Sequence, residues 1–136
     1  MFRSAINTVQ VRVNEKASAS GLGNPIPSAA SDICSYYSYS CSLYEYTIEP
    51  DDLFQHAKER GWILIPIPVD EPIYGQMTMG VEIRCFRYDE YKKGQDITKD
   101  LFFEKRITNG YYMEEQRTII VYDSDTQRFY LESWRR

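Results

Sequence analysis

The stretch Thr118-Ile119-Ile120-Val121-Tyr122-Asp123-Ser124-Asp125-Thr126-Gln127-Arg128-Phe129-Tyr130-Leu131-Glu132-Ser133-Trp134 decides the fold. Its first five residues are β-branched or aromatic, the side chains that suit a pleated, half-buried surface. Asp123 to Gln127 are then turn formers whose short side chains bond back to the local backbone. A second strand-length run follows, so the stretch predicts an antiparallel hairpin. Asp123 and Asp125 resemble the opening of a calcium loop, but Arg128 stands where such a loop needs glycine and Trp134 where it needs glutamate.

Immediately upstream, Asn109-Gly110 is the strongest short-range hairpin signal in the chain, because both residues accept positive φ. It predicts that 101–108 pairs with 111–122. A helix over 96–107 capped by Gly110 competes with this reading. Glu104, Lys105 and Thr108 fit poorly as the continuation of an apolar stripe begun by Leu101, Phe102 and Phe103. The C-terminal half therefore predicts an antiparallel meander.

Earlier still, Met77, Met79, Val81, Ile83 and Cys85 alternate with the residues between them, which predicts a long strand with Cys85 inward. Trp62-Ile63-Leu64-Ile65-Pro66-Ile67-Pro68-Val69 is strongly apolar, yet its prolines cannot donate to a ladder, so it should run to a sheet edge or a bulge. Glu49-Pro50-Asp51-Asp52-Leu53-Phe54-Gln55-His56-Ala57-Lys58-Glu59-Arg60-Gly61 carries Pro and acids at its start, bases at its end and Gly after it. Each feature complements a helix dipole or its unsatisfied ends, so one helix is expected over about residues 50–60. Leu53, Phe54 and Ala57 form its apolar stripe, with His56 at the flank.

In 35–48, Tyr37, Tyr39, Cys41 and Leu43 share one parity and Ser38, Ser40 and Ser42 the other, until Tyr44, Tyr46 and Ile48 invert the phase. A one-residue inversion is what a β-bulge produces. Residues 15–32 hold Ala, Ser, Gly, Asn and two prolines and predict a long connection, long enough to order on binding. Val9, Val11 and Val13 alternate with polar residues as a first strand.

The 136 residues are 43% hydrophobic and 15% aromatic with mean hydropathy −0.52, so the expectation is one domain over 1–136. The architecture expected is α+β: a curved antiparallel sheet of about six or seven strands, up to a half-barrel, with the helix packed on it. No run approaches the ~18 apolar residues of a membrane span. Met1-Phe2-Arg3-Ser4-Ala5-Ile6-Asn7 lacks the apolar block of a secretory signal, which predicts a cytoplasmic protein.

A net charge of −4, spread evenly along the chain, gives no basic arm for phosphate backbones or anionic lipid. Cys34, Cys41 and Cys85 are odd in number, without paired spacing, and His56 is the only histidine, so no zinc set is present and the thiols are expected free. Gly21-Leu22-Gly23 lacks the third glycine and the helix of a phosphate-binding loop. The reading assigns no metal and no cofactor. A Cys–His enzyme would have to use His56 with Cys41, although no local motif places them together. With 20 acids present, carboxylate catalysis has too many candidate pairs for the sequence to choose among.

The positive signal is a row of aromatics and arginines. Arg84, Phe86 and Tyr88 align on one strand, and Arg128, Tyr130 and Trp134 on another, all outward if that face is open. If the helix covers one face and the long connection the other, the row is core instead. With Tyr36, Tyr37 and Tyr39 these residues predict a contact surface for a protein partner. Glu45, Glu49, Asp51, Asp52, Asp70 and Glu71 would steer a basic one. The function expected is that of a small non-catalytic inhibitor, adaptor or assembly factor. Two other readings stand beside it, the small enzyme and a single-stranded RNA binder stacking bases on the aromatic face, the latter disfavoured by the acidic balance.

Overall fold

The computed structural model describes residues 10–15, 26–68, 80–87, 94 and 101–134. In chain order these form β1 (Gln10–Glu15), β2 (Ser31–Tyr37), β3 (Cys41–Thr47), the helix α1 (Pro50–Arg60), β4 (Ile65–Pro66), β5 (Val81–Phe86), β6 (Phe102–Ile107), β7 (Gly110–Glu115), β8 (Thr118–Asp123) and β9 (Arg128–Trp134). The fold is α+β. An antiparallel sheet runs β1-β2-β3-β9-β8-β7, with the two-residue β4 added beside β7, and β5-β6 makes a second, smaller sheet. The main sheet stays open, with β1 and β4 at its edges.

Two hairpin systems build that sheet. Strands β1 to β3 form one meander and β7 to β9 another, and β3 joins β9 antiparallel from Cys41↔Trp134 to Thr47↔Arg128. The β8–β9 hairpin is the one expected from 118–134. At its turn the Asp125 N–H donates to Asp123 Oδ1 at 2.9 Å, so the two acids serve the backbone.

The sheet is covered on both faces. On the first, Ile33, Tyr46, Phe129 and Tyr122 meet Leu53 of α1, with Ile26 and Ala30 from the segment before β2. Phe129 stacks on Tyr46 at 4.6 Å and on Trp62 at 5.8 Å, pairs worth about 0.5–1.5 kcal/mol beyond their buried area. On the second face, β5 and β6 bring Ile83, Cys85, Phe86 and Ile107 against Cys34, Leu43, Val121 and Tyr130.

The helix is where its punctuation places it. Pro50 opens it, Asp51 and Asp52 occupy the first turn, and Gly61 closes it at φ 77°. The Trp62 N–H then donates to the Ala57 carbonyl at 2.9 Å. Its buried stripe is Leu53, His56 and Ala57, and Phe54 instead lies half out, edge-on to Tyr111 at 5.0 Å. His56 is thus an interior residue and not a wet flank.

Three local expectations are corrected. Residues 35–48 are no bulged strand but the β2–β3 hairpin, turned at 38–40 with Ser38 N–H donating to the Cys41 carbonyl at 2.9 Å. The change of parity arises because β3 is buried on both faces, so apolar residues occupy even and odd positions alike. Nor does 101–108 pair with 111–122: β6 pairs with β5, and β7 turns at 116–117 into β8. Asn109-Gly110 instead marks the passage of the chain from the small sheet to the large one. Finally, of the long connection, 26–30 packs on the α1 face and 16–25 lie outside the described residues; among the described residues the cover on the second face is β5–β6. The expected strand start at Met77 and Met79 also lies outside them.

Candidate functional site

The second layer decides the fate of the aromatic and arginine row. Phe86 is only 3% exposed, and Tyr130 and Arg128 are buried with it. Strand parity had placed Arg128 and Tyr130 on one face correctly, but β5–β6 lies on that face, so Phe86, Arg128 and Tyr130 are interior rather than an open contact surface. Tyr88 lies outside the described residues.

Glu45 is likewise corrected from a steering acid to a buried one. Its Oε2 accepts from Arg128 Nη2 at 2.9 Å and Nε at 3.0 Å, and its Oε1 accepts the Phe86 backbone N–H at 2.8 Å. Arg128 also donates to the Asp32 carbonyl at 2.6 Å and to Thr47 Oγ1 at 3.1 Å. Burial lifts the Glu45 carboxyl above its usual range against the pull of Arg128 and the Phe86 N–H. Burial works against the Arg128 charge, and Glu45 and Cys34 more than offset it.

Two further ion pairs link the layers, Arg84 to Glu132 at 2.5 Å and Lys105 to Asp123 at 3.2 Å. Burial pushes the Cys85 thiol up to about 12, and its neighbour Tyr130 is raised as well, also chiefly by burial. These groups form a polar seam that holds β5–β6 in register on the main sheet.

Of the remaining acids, Glu49, Asp51 and Asp52 are exposed at the start of α1. Asp70 and Glu71 lie outside the described residues. The catalytic pair expected in an enzyme is not assembled. His56 packs edge-on to Trp62 at 5.2 Å on the α1 face, whereas Cys41 faces the second layer, 3.8 Å from Arg84 Nη2. The sheet stands between them.

Five predicted contact residues keep an accessible part, the half-buried Arg84 among them. Tyr36 is half-buried, edge-on to Phe102 at 5.0 Å, whereas Tyr37, Tyr39 in the β2–β3 turn and Trp134 are exposed, Tyr39 to 75%. Trp134 and Arg84 meet at a hollow of about 180 Å³ on the β5–β6 side, with Glu82, Glu104 and Glu132 around them.

The larger opening is on the other face. Across the α1 side of the sheet the registers align Tyr37, Ser42, Ser133, Thr118 and Glu115 in one row, and Ser35, Tyr44, Leu131, Ile120 and Met113 in the next. The third row is the Tyr46–Phe129 core that Trp62 covers. Between Trp62 and the sheet end lies a trough of about 320 Å³, with Ser42, Ser133, Thr118, Leu131 and Met113 as its floor and Tyr44, Arg60, Trp62 and Glu115 around it. Its depth comes from short side chains: Thr118 Oγ1 and Ser133 Oγ lie 3.3 Å apart in a hydroxyl contact.

The walls of the trough differ in charge. The Arg60 guanidinium sits over the Trp62 ring at 5.6 Å. It also opposes the rise that burial imposes on the Tyr46 hydroxyl. Glu115 is exposed on β7, at one end of the floor row. Sequence reading found the Ser42 parity but not the trough, since Ser42, Ser133 and Thr118 become neighbours only through the β3–β9–β8 register.

Among the described residues no three His, Cys, Asp or Glu side chains are grouped to hold a metal ion, and no helix is long and apolar enough to cross a membrane. Compared with protein-family models, curated proteins and solved structures, the chain matches none.

Proposed function

We propose that this chain is a small non-catalytic cytoplasmic binding protein that engages a protein partner, acting as an inhibitor, adaptor or assembly factor. The contact surface is the trough and the exposed Tyr37 beside it, in place of the buried Phe86–Tyr130 row. The observation that carries this reading is the trough itself: about 320 Å³, at the small end of ligand pockets, with hydroxyls on its floor and one charge of each sign on its walls. Its volume suits a short chain segment better than a whole globular face.

The reading is tested by filling the trough. Ser133→Trp places a large ring on the floor without touching the polar seam between the layers. Tagged wild-type and S133W protein are purified from the native host with nuclease treatment, after circular dichroism has shown both to be folded. A stoichiometric protein that accompanies the wild type and is lost from the variant supports the reading. A partner retained by S133W overturns the site, and an associate removed by nuclease overturns the partner class.

A further inference from the structure

The trough is bipolar, and its floor row runs across the strands. Arg60, over Trp62, and Glu115 on β7 both line the trough, whose floor row runs from Ser42 on β3 through Ser133 and Thr118 to Glu115. From β3 through β9 and β8 to β7 is three strand spacings, about 14 Å at 4.7–4.9 Å each. An extended chain advances about 3.3 Å per residue, so about four residue steps cover that span. The floor hydroxyls both donate and accept, which matches the alternating N–H and C=O groups of a peptide backbone. The Trp62 ring already carries Phe129 at one stacking contact and Arg60 at another, so its π-surface is engaged within the fold. Charge and backbone recognition are what the trough offers most.

We infer that the trough binds an extended peptide segment of the partner that crosses the strands, with an acidic side chain at Arg60 and a basic one at Glu115 about four residues away. This deepens the binding-protein reading and rests on it. A segment with like charges at both ends would set one of them against its own sign, a cost that partner selection uses.

The test uses three blocked pentapeptides with an Ala-Ala-Ala centre: Asp and Lys at the two ends, Asp at both, and Lys at both. Each is titrated at millimolar concentration into the isotope-labelled full chain while backbone amides are followed by NMR. The expected result is that amides of Thr118, Ser133 and Glu115 shift, and that the Asp/Lys peptide binds about tenfold tighter than either control. In Glu115→Gln, an exposed change with little effect on folding, the preference over the Asp/Asp peptide disappears. Equal binding of all three peptides at the trough overturns the bipolar inference and leaves the trough as a binding site. If no peptide shifts the trough amides, the inference and the site assignment both fall.

Discussion

Arg128 and Glu45 show what a residue's own chemistry can and cannot disclose. Parity alone places Arg128 beside Tyr130, and Glu45 is in register with Tyr130 across β3–β9. Whether the shared face is wet depends on where β5–β6 lies, and nothing local to either residue carries that. A buried pair costs desolvation, and removing one partner leaves a charge in the interior, so Arg128→Met should cost about 3–5 kcal/mol in urea unfolding at neutral pH. The pH dependence has a definite sign. The native Glu45 carboxyl holds its proton to higher pH than the unfolded one, whose value is 4.5, so this group's contribution favours folding at low pH and is lost as pH rises through the native value. Without Arg128 that rise is larger. The deficit of R128M relative to wild type should therefore shrink as pH falls through the raised native values toward 4.5, and a deficit that widens on acidification contradicts the assignment. Cys85 gives a simpler check. With its thiol at about 12 and buried, it should resist alkylation near neutral pH in the folded protein and react once denaturant is added.

At the scale of elements, punctuation was legible and partnership was not. Pro50, the two acids and Gly61 act within one helical turn of where they stand, so α1 could be read residue by residue. Asn109-Gly110 is equally local, but its positive-φ residue serves a different purpose here. Gly110 has φ 156°, and a Cβ at that point would run into the Tyr122 carbonyl oxygen, because β7 starts hard against β8. The dipeptide signals a close backbone approach, and the sequence does not say to which strand. Gly61 is the contrasting case, with φ 77° and open space around it. Gly61→Ala should cost about 1 kcal/mol from the left-handed conformation alone. Gly110→Ala should cost at least about 2 kcal/mol, since the strand end must shift as well. Chemical denaturation of the two variants side by side checks the ranking, and equal losses would mean that the Gly110 approach relaxes freely. The trough has an element-scale origin too. Gly61 ends α1 and the chain turns away at Trp62, leaving the Ser42–Ser133–Thr118 row without a helix above it.

For the whole molecule, the consequential fact is that the last strand described is central. Strand β9 is flanked by β3 and β8, and its pairing with β3 is the seam between the two meanders. The 118–134 hairpin was readable because its partners are neighbours in sequence. The β3–β9 seam was not, since it brings Cys41 to Trp134 and leaves no local trace. Deleting a terminal strand is often mild, because termini are commonly peripheral. Here, removing 128–136 would expose edges of β3 and β8 in mid-sheet, take Phe129 from its stacks with Tyr46 and Trp62, and leave Glu45 without Arg128. The shortened chain should be unfolded by near-ultraviolet circular dichroism, whereas S133W, which keeps the same strand, should remain folded. Hydrogen exchange on the intact chain tests the same architecture without a deletion. Amides of β3, β8 and β9 should open only with global unfolding, and that of Ile65, the one amide of the two-residue edge strand β4, should exchange far faster. If β9 exchanges as fast as β4, the meanders are not joined through it, and the trough, whose floor spans that seam, would not exist as a continuous surface.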